Sequence, residues 1–241
     1  MLRFLPIQTF GAKALARALE LSPEGGMVLM VVAGLLIAVV AYFLGSVNGA
    51  ILVSHVLLRR DIRAHGSHNA GTTNMLRTYG TKYAVLTMVL DMLKAVVATL
   101  IGYAVAALMG AAIAGFFCVL GHMFPVFYRF RGGKGVATTA MVALMLDPWT
   151  FLVMFVVFFA IVGMSRYVSL ASVMCAFLYP LLLHAFIYPE SGWVPLMGLC
   201  TSAFVVFMHR ENLKRLYRGE ESKISFSRKK KSEQSDGEGK A

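Results

Sequence analysis

Residues 121–141, GHMFPVFYRFRGGKGVATTAM, join two apolar runs through a short basic loop that contains GGKG at residues 132–135. Glycines let backbone N–H groups converge because they carry no Cβ, and Lys134 adds a mobile positive charge. A second apolar run begins at Val136, and a helix N-terminus offers unpaired N–H groups and the positive end of a dipole. The stretch therefore predicts an anion site, with a plain tight turn as the alternative. A P-loop is excluded, because Gly135 follows the lysine where that motif needs Ser or Thr.

The composition around this loop indicates a membrane protein. Of the 241 residues, 58% are hydrophobic and 15% are charged, whereas soluble domains are about a quarter charged. So much apolar surface cannot be hidden in one soluble core, and we expect the lipid bilayer as a partner. The net charge is +11, which could indicate a nucleic-acid partner. However, the basic residues lie between and after apolar runs, and this distribution fits the positive-inside rule of membrane proteins better than a nucleic-acid-binding face, so we expect no nucleic-acid partner. The cysteines are isolated from one another, so we expect no metal site.

Seven apolar runs predict an all-α integral membrane protein with about seven transmembrane helices, some of them short. The runs cover residues 27–58, 83–108, 111–127, 136–146, 149–163, 167–186 and 193–208. Asp147-Pro148 interrupts the fourth and fifth runs, which are interpreted as two short helices or as one broken helix. The sequence leaves five spans open as the alternative to seven.

The distribution of charge orients the chain. Lys and Arg collect in residues 59–82, 128–134, 165–166 and from residue 209 onward, and the alternate loops at 110, 147–148 and 188–192 contain none. The positive-inside rule therefore places the basic loops and the C-terminus in the cytoplasm and the N-terminus outside. We expect residues 1–26 to form an extension at the membrane interface, residues 27–221 the membrane domain, and residues 222–241 a basic, polar, disordered tail.

Polar residues fall on the same predicted face as the glycine loop. Residues 66–77, GSHNAGTTNMLR, offer hydroxyl, amide and backbone donors beside an arginine, which suits phosphate; a capped loop without a ligand is equally consistent. Asp91 and Lys94 are three residues apart in a predicted span. We expect them to neutralise each other inside the bundle, with a place at a polar cavity as the less favoured alternative. His122 is either a satisfied core residue or a ligand contact.

Three motifs resemble the bacterial acyl-phosphate:glycerol-3-phosphate acyltransferases of the inner membrane. Residues 66–77 are similar to a first motif, approximately GSGNxGATNxxR, and residues 121–138 to a second, approximately GHxFPxFxxFKGGKGVAT. Residues 209–221, HRENLKRLYRGEE, are similar to a third, approximately HRxNIxRLxxGxE. The resemblance runs from about residue 42 to residue 221. Its main departure is His68, which replaces a glycine and puts a side chain into a phosphate loop.

The resemblance implies transfer of a fatty acyl group from acyl phosphate to the 1-hydroxyl of sn-glycerol 3-phosphate, giving lysophosphatidic acid and phosphate without a cofactor. It implies an enzyme of phospholipid biosynthesis in the bacterial inner membrane, with its site facing the cytoplasm and in contact with other phospholipid-synthesis enzymes. The residues implied in catalysis are Ser67, Arg77, Lys134, His209 and Asn212. Those implied in substrate and phosphate binding are Gly66, Asn69, Gly71, Thr72, Asn74, Gly132, Gly133, Gly135, Ser169, Ser172 and Arg210. Glu211 is implied to be structural.

Two questions stay open in the sequence. None of the six histidines has an aspartate five residues on, as soluble-type glycerolipid acyltransferases do, so we expect a substrate phosphate oxygen to take the hydroxyl proton. An anion transporter or channel is the rival class, because broken helices and glycine loops would serve it too; the chain shows no internal repeat that would favour it. A lipid-surface or nucleic-acid module built on the basic tail is less economical than a solvated tail.

Overall fold

The described part of the protein consists of helices and the loops that join them. The structure, a computed structural model, describes residues 2, 10–187 and 192–224, and no strand occurs among them. The helices in these residues are α1 (Phe10–Leu21), α2 (Pro23–Ser46), α3 (Gly49–Leu58), α4 (Thr72–Tyr79), α5 (Thr81–Met123), α6 (Val136–Leu146), α7 (Pro148–Ser165), α8 (Val168–Ile187), α9 (Trp193–Met208) and α10 (Arg210–Tyr217). The predicted loop at 188–192, except Gly192, and the predicted tail beyond Ile224 lie outside the described residues.

Several of these helices are long and apolar enough to cross a membrane. Four segments among the described residues qualify, namely Pro23–Leu58, Thr81–Tyr128, Pro148–Ser165 and Val168–Ile187. A fifth is obtained if α9 and α10, bent by 55° at His209, are taken as one broken span. Large apolar side chains on these helices face outward; Val28, Leu35 and Val156 are 63%, 62% and 59% exposed. Apolar surface of this extent indicates contact with lipid.

Helix α5 reverses direction within its length. Its 43 residues would extend about 65 Å as one straight helix, twice the roughly 30 Å of a hydrocarbon core. The backbone leaves the helical conformation at Ala106 (φ −137°) and Ala107 (φ +49°). On either side, Gly102 and Gly110 lie so close that a Cβ on one would collide with the backbone of the other. The turn predicted at Gly110 thus lies three to four residues earlier, and α5 forms two packed arms.

A second break separates α2 from α3 at Asn48. The break leaves backbone carbonyls inside the bundle, and the Lys94 ammonium donates to those of Gly45 and Val47 at 2.9 and 2.8 Å. Lys94 Nζ also lies 2.9 Å from Asp91 Oδ1, and both side chains are buried. The neutralising pair predicted from the spacing of Asp91 and Lys94 is therefore confirmed. The pair additionally satisfies the ends of a broken helix.

Asp147 separates α6 from α7. Its Oδ2 accepts the Thr150 N–H at 2.8 Å and so caps α7, whose first residue is Pro148. A side-chain cap followed by proline at the first helical position starts a new helix. The sequence left two short helices or one broken helix open here, and the structure has two helices. Helix α6 packs against α5, α7 packs against α8, and α6 and α7 also contact each other.

The N-terminal extension packs against the turn of α5. Helix α1 precedes the Ser22 cap of α2, and Gly11 touches the carbonyls of Ala104 and Val105, where a Cβ would meet their oxygens at 2.7 and 2.6 Å. Leu15 of the same helix is also buried. The extension thus lies at the turn of the α5 hairpin. The basic glycine loop follows Met123, at the other end of the second arm.

Candidate active site

The polar segments that are far apart in the sequence meet in one cavity of about 1010 Å³. All the residues to which the resemblance gives a catalytic or binding role line it, except Gly132 and Gly133. One end of the cavity is polar and basic. The other end is apolar and is lined by Phe151, Met154, Phe155, Phe158 and Phe159 of α7. A cavity built in this way can hold a molecule with a charged head and an apolar chain.

Asn74 shapes the first polar loop. Its side chain is 1% exposed. The Nδ2 group donates to the carbonyls of His65 and Asn69 at 2.9 and 3.0 Å, and Oδ1 accepts the Ser67 N–H at 2.9 Å. Because these bonds occupy the amide, Asn74 organises the loop backbone. The binding role implied for Asn74 stays a prediction.

The same loop delivers the N-terminus of α4 to the cavity. The helix begins at Thr72 and no side chain caps it. Gly71 and Thr72 line the cavity together with Arg77, whose Nη2 donates to the Ser222 carbonyl at 3.2 Å. An uncapped helix N-terminus with an arginine on its cavity side is a suitable anion site.

A second uncapped N-terminus, that of α6, lines the same cavity. Gly135, at φ +79°, precedes Val136, and no side chain caps the helix. Gly132 and Gly133 behave differently from the prediction, because their N–H groups donate to the carbonyls of Met123 and His122, each at 3.1 Å. These two glycines fold the loop back onto the end of α5. Their N–H groups are thus engaged within the protein, and the binding role implied for these glycines stays a prediction.

Lys134 connects the glycine loop to α10. Its Nζ donates to Asn212 Oδ1, and Asn212 Nδ2 donates in turn to Glu221 Oε1 at 2.7 Å. Burial lowers the pKa of Lys134 to about 8, although the negative charge of Glu221 acts in the opposite direction. Lys134 therefore stays mostly cationic at pH 7, and Asn212 holds its ammonium at the cavity wall.

Glu221 is a polar residue of the site that the sequence did not single out. Its carboxylate is 7% exposed and accepts hydrogen bonds from Ser169 Oγ, Asn212 Nδ2 and Arg215 Nε at 2.7 to 2.8 Å. Burial would raise its pKa, but these donors together hold it below its ordinary value. Glu211, to which the resemblance gave the structural role, is 57% exposed. The structural carboxylate of the third motif is thus Glu221, and the final Glu of the motif pattern was the signal for it.

His209 ends α9 and is 2% exposed. Its Nδ1 lies 2.8 Å from the Val205 carbonyl, and since a carbonyl can only accept, Nδ1 carries the proton and Nε2 is left as an acceptor. Burial lowers the pKa of His209, and the charge of Lys134 lowers it further. A neutral imidazole therefore lines the cavity.

Ser172 and Arg210 also line the cavity, but part of their polar capacity is used locally. The Ser172 hydroxyl donates to the Val168 carbonyl at 2.8 Å. The Arg210 guanidinium lies 4.4 Å from the centre of the Phe207 ring and donates to the Phe207 carbonyl at 3.1 Å. Both residues therefore have fewer free donors to offer a ligand than their side chains carry.

Comparison with known proteins finds a matching family and similar sequences. Residues 35–219 match the family described as glycerol-3-phosphate acyltransferase. The glycerol-3-phosphate acyltransferases of Syntrophomonas wolfei subsp. wolfei and Bacillus subtilis (strain 168) are 41% and 34% identical to the chain, covering 78% and 79% of it and 95% and 97% of their own length.

Two crystal structures of PlsY, an integral membrane glycerol 3-phosphate acyltransferase, have the same fold. The glycerol 3-phosphate form has a TM-score of 0.73 at 37% identity and covers 80% of this chain and 96% of that one. The lysophosphatidic acid form has a TM-score of 0.72 at 36% identity, with 80% and 95% covered. On sequence and on fold, the chain belongs to the glycerol-3-phosphate acyltransferase family.

Proposed function

We propose that the protein transfers a fatty acyl group from acyl phosphate to the 1-hydroxyl of sn-glycerol 3-phosphate, giving lysophosphatidic acid and inorganic phosphate. The observation that carries the proposal is the two-ended cavity. Its polar end combines the uncapped N-termini of α4 and α6 with the cations of Arg77 and Lys134, enough for two phosphate groups side by side. Its apolar end, along α7, suits an acyl chain.

The reaction needs little beyond positioning and charge neutralisation. The glycerol oxygen O1 forms a bond to the acyl carbonyl carbon, and the bond from that carbon to the bridging phosphate oxygen breaks. Phosphate leaves with the electron pair, and one of its oxygens takes the hydroxyl proton. Acyl phosphate is a mixed anhydride with a good leaving group, so proximity and fixed cations supply much of the rate.

The residues implied by the motifs take roles that fit this scheme. Arg77 and Lys134 neutralise the phosphates, with Ser67 as a hydroxyl donor beside them, and Asn212 orients Lys134. His209 offers Nε2 as an acceptor for the glycerol hydroxyl. Its lowered pKa makes it a weak base, which supports the phosphate oxygen as the final proton acceptor.

The proposed topology has seven crossings. These are α2 with α3, the two arms of α5, and then α6, α7, α8 and α9. The loops that close the polar end of the cavity are those rich in Lys and Arg, which supports a cytoplasmic site in the bacterial inner membrane, a cytoplasmic C-terminus and an outer N-terminus. Residues 1–26 would then be an outer extension, 27–221 the acyltransferase domain and 222–241 a cytoplasmic tail. Contact with other phospholipid-synthesis enzymes stays a prediction.

The test is an assay of the protein purified in detergent. Palmitoyl phosphate and radiolabelled glycerol 3-phosphate are the substrates, palmitoyl-CoA is the control donor, and lysophosphatidic acid is separated and counted. Product from palmitoyl phosphate and none from palmitoyl-CoA is the expected result. Product from palmitoyl-CoA alone would overturn the donor assignment. Product with the acyl group on the 2-hydroxyl, resolved by mass spectrometry, would overturn the position of attack.

A further inference from the structure

His122, at the end of α5, has one ring nitrogen engaged and one free. Its side chain is 4% exposed and lines the cavity. Nδ1 lies 3.0 Å from Lys94 Nζ and 3.3 Å from Asp91 Oδ1. Nε2 has no hydrogen-bond partner in the part of the chain that the structure describes. Because His122 lines the cavity, this unpaired ring nitrogen is open to a polar group of a ligand.

The contacts of Nδ1 with Lys94 and Asp91 indicate which ring nitrogen of His122 carries the proton. An ammonium can only donate, and Lys94 Nζ is nearer to Nδ1 than the Asp91 carboxylate is. Nδ1 therefore accepts, and the proton is on Nε2. A second positive charge on the ring, 3.0 Å from the ammonium, would be repelled. His122 thus presents a neutral N–H donor, and its orientation is fixed because Lys94 is itself held by two backbone carbonyls.

This donor lies where the two phosphate loops meet. The Gly133 N–H donates to the His122 carbonyl at 3.1 Å. A Cβ on Gly133 would collide with Nε2 and would lie 2.6 Å from the carbonyl of Ala70 in the first loop. Asn48, at the break between α2 and α3, donates to the same Ala70 carbonyl at 3.3 Å. The absence of a side chain at Gly133 therefore lets the loop of α6 pack closely against the His122 ring and against the loop of α4.

We propose that His122 is a further substrate-contacting residue, whose Nε2–H donates to an oxygen of a phosphate group held between these loops. The chemical class of the ligand is a phosphate ester or an acyl phosphate. The inference rests on the proposed function, because that function brings both phosphates into the cavity. Asp91 and Lys94 are positioning residues in this arrangement, since they act on the substrate through the ring.

Two isosteric variants separate substrate contact from a structural role. In His122→Asn the side-chain amide reaches the position of Nδ1, so Lys94 keeps a partner but the group at Nε2 is lost. In His122→Gln the amide reaches the position of Nε2, while the partner of Lys94 is lost. We expect His122→Asn to lower kcat/KM about 10- to 100-fold, the range for a hydrogen bond to a charged group, and His122→Gln to retain most of it. A purely structural role predicts the reverse order, and that order would overturn the proposal.

Separate titrations of His122→Asn with each substrate show which substrate carries the phosphate that His122 contacts. A raised KM for glycerol 3-phosphate alone assigns the contact to that phosphate, and a raised KM for palmitoyl phosphate alone assigns it to the donor. Thermal unfolding in detergent shows whether each variant folds.

A measurement on the wild-type protein covers the case in which neither variant folds. With ¹⁵N-labelled histidine, the His122 Nε2 resonance should move when glycerol 3-phosphate or inorganic phosphate is added. A resonance that stays unmoved with both ligands would refute the contact. Failure of the proposed function is distinguishable: it shows as no lysophosphatidic acid from wild-type protein. Failure of this inference shows as full wild-type turnover together with full turnover in His122→Asn.

Discussion

Replacing Lys134 with alanine is expected to raise the KM for glycerol 3-phosphate about 10- to 100-fold. A hydrogen bond to a charged group contributes about 1.5–3 kcal/mol, and each 1.4 kcal/mol is about a factor of ten. Arg77 and Arg215 line the same cavity and remain in the variant, so the loss stops well short of the roughly 4 kcal/mol Coulomb limit for a 4 Å ion pair near a protein surface. The rate at saturating substrate should fall less than the KM rises.

The titration of Lys134 makes this prediction dependent on pH. Its pKa is lowered to about 8, so the ammonium is present at pH 7 and is mostly lost by pH 9. The second ionisation of a phosphate monoester, near pH 6, is complete across that range. The wild-type KM should therefore rise as the pH passes 8. In Lys134→Arg the guanidinium stays charged, and in Lys134→Ala there is no charge to lose, so in both variants this rise should disappear.

The assay follows labelled lysophosphatidic acid at saturating palmitoyl phosphate, with glycerol 3-phosphate titrated at half-unit steps from pH 6.5 to 9.5. Lys134→Arg is the matched control, because it keeps the charge and changes the shape. If the KM of Lys134→Ala stays within about twofold of wild type at pH 7, Lys134 contributes little to the binding of glycerol 3-phosphate. The reasoning from the Lys134–Asn212 bond to the glycerol 3-phosphate site would then be refuted.

Three further variants test other parts of the structure. Glu221→Ala leaves the Ser169 and Asn212 donors unpaired and should cost about 2–4 kcal/mol of stability in thermal unfolding, whereas Glu211→Ala on the surface should change it by less than about 0.5 kcal/mol; equal effects would contradict the role of Glu221. His68 has φ +58°, a conformation that costs a side-chain-bearing residue about 1–2 kcal/mol, so His68→Gly should raise the melting temperature after glycine's entropy cost of about 0.5–1 kcal/mol; a lower temperature would count against strain there. His209→Gln should reduce turnover less than about a hundredfold, because His209 orients the hydroxyl without keeping its proton; a larger loss would make it the base.

The helices could be predicted closely because hydrophobic length and proline placement are local signals. The break at Asp147-Pro148 follows from a capping side chain beside a residue that cannot continue a helix. The reversal of α5 was misplaced for the opposite reason. Ala106 and Ala107 carry no turn signal, and the reversal is set by the close packing of Gly102 against Gly110. That contact is tertiary, so no local pattern shows it.

The meeting of the motifs in one cavity could be inferred from topology, since loops on one membrane face can converge. Which hydrogen-bond donors of these motifs are free to bind a ligand could not be inferred from the sequence. Whether the N–H groups of Gly132 and Gly133 are free depends on carbonyls at the end of α5, and those are satisfied only when the loop folds back. The link between Asp91 and His122 joins two arms of a hairpin. Glu221 lies in a charged segment, and its burial depends on donors from α8 and α10.

The brace that Glu221 forms has a consequence for biosynthesis. Glu221 is synthesised after every described membrane helix. These helices can therefore insert into the bilayer before the hydrogen bonds of Glu221 form at the polar end of the cavity. A chain terminated at Gly219 would keep all of those helices and still lack the group that ties Ser169 to Asn212. Translation products that end there are therefore expected to enter the membrane without the hydrogen bonds that join α8 to α10.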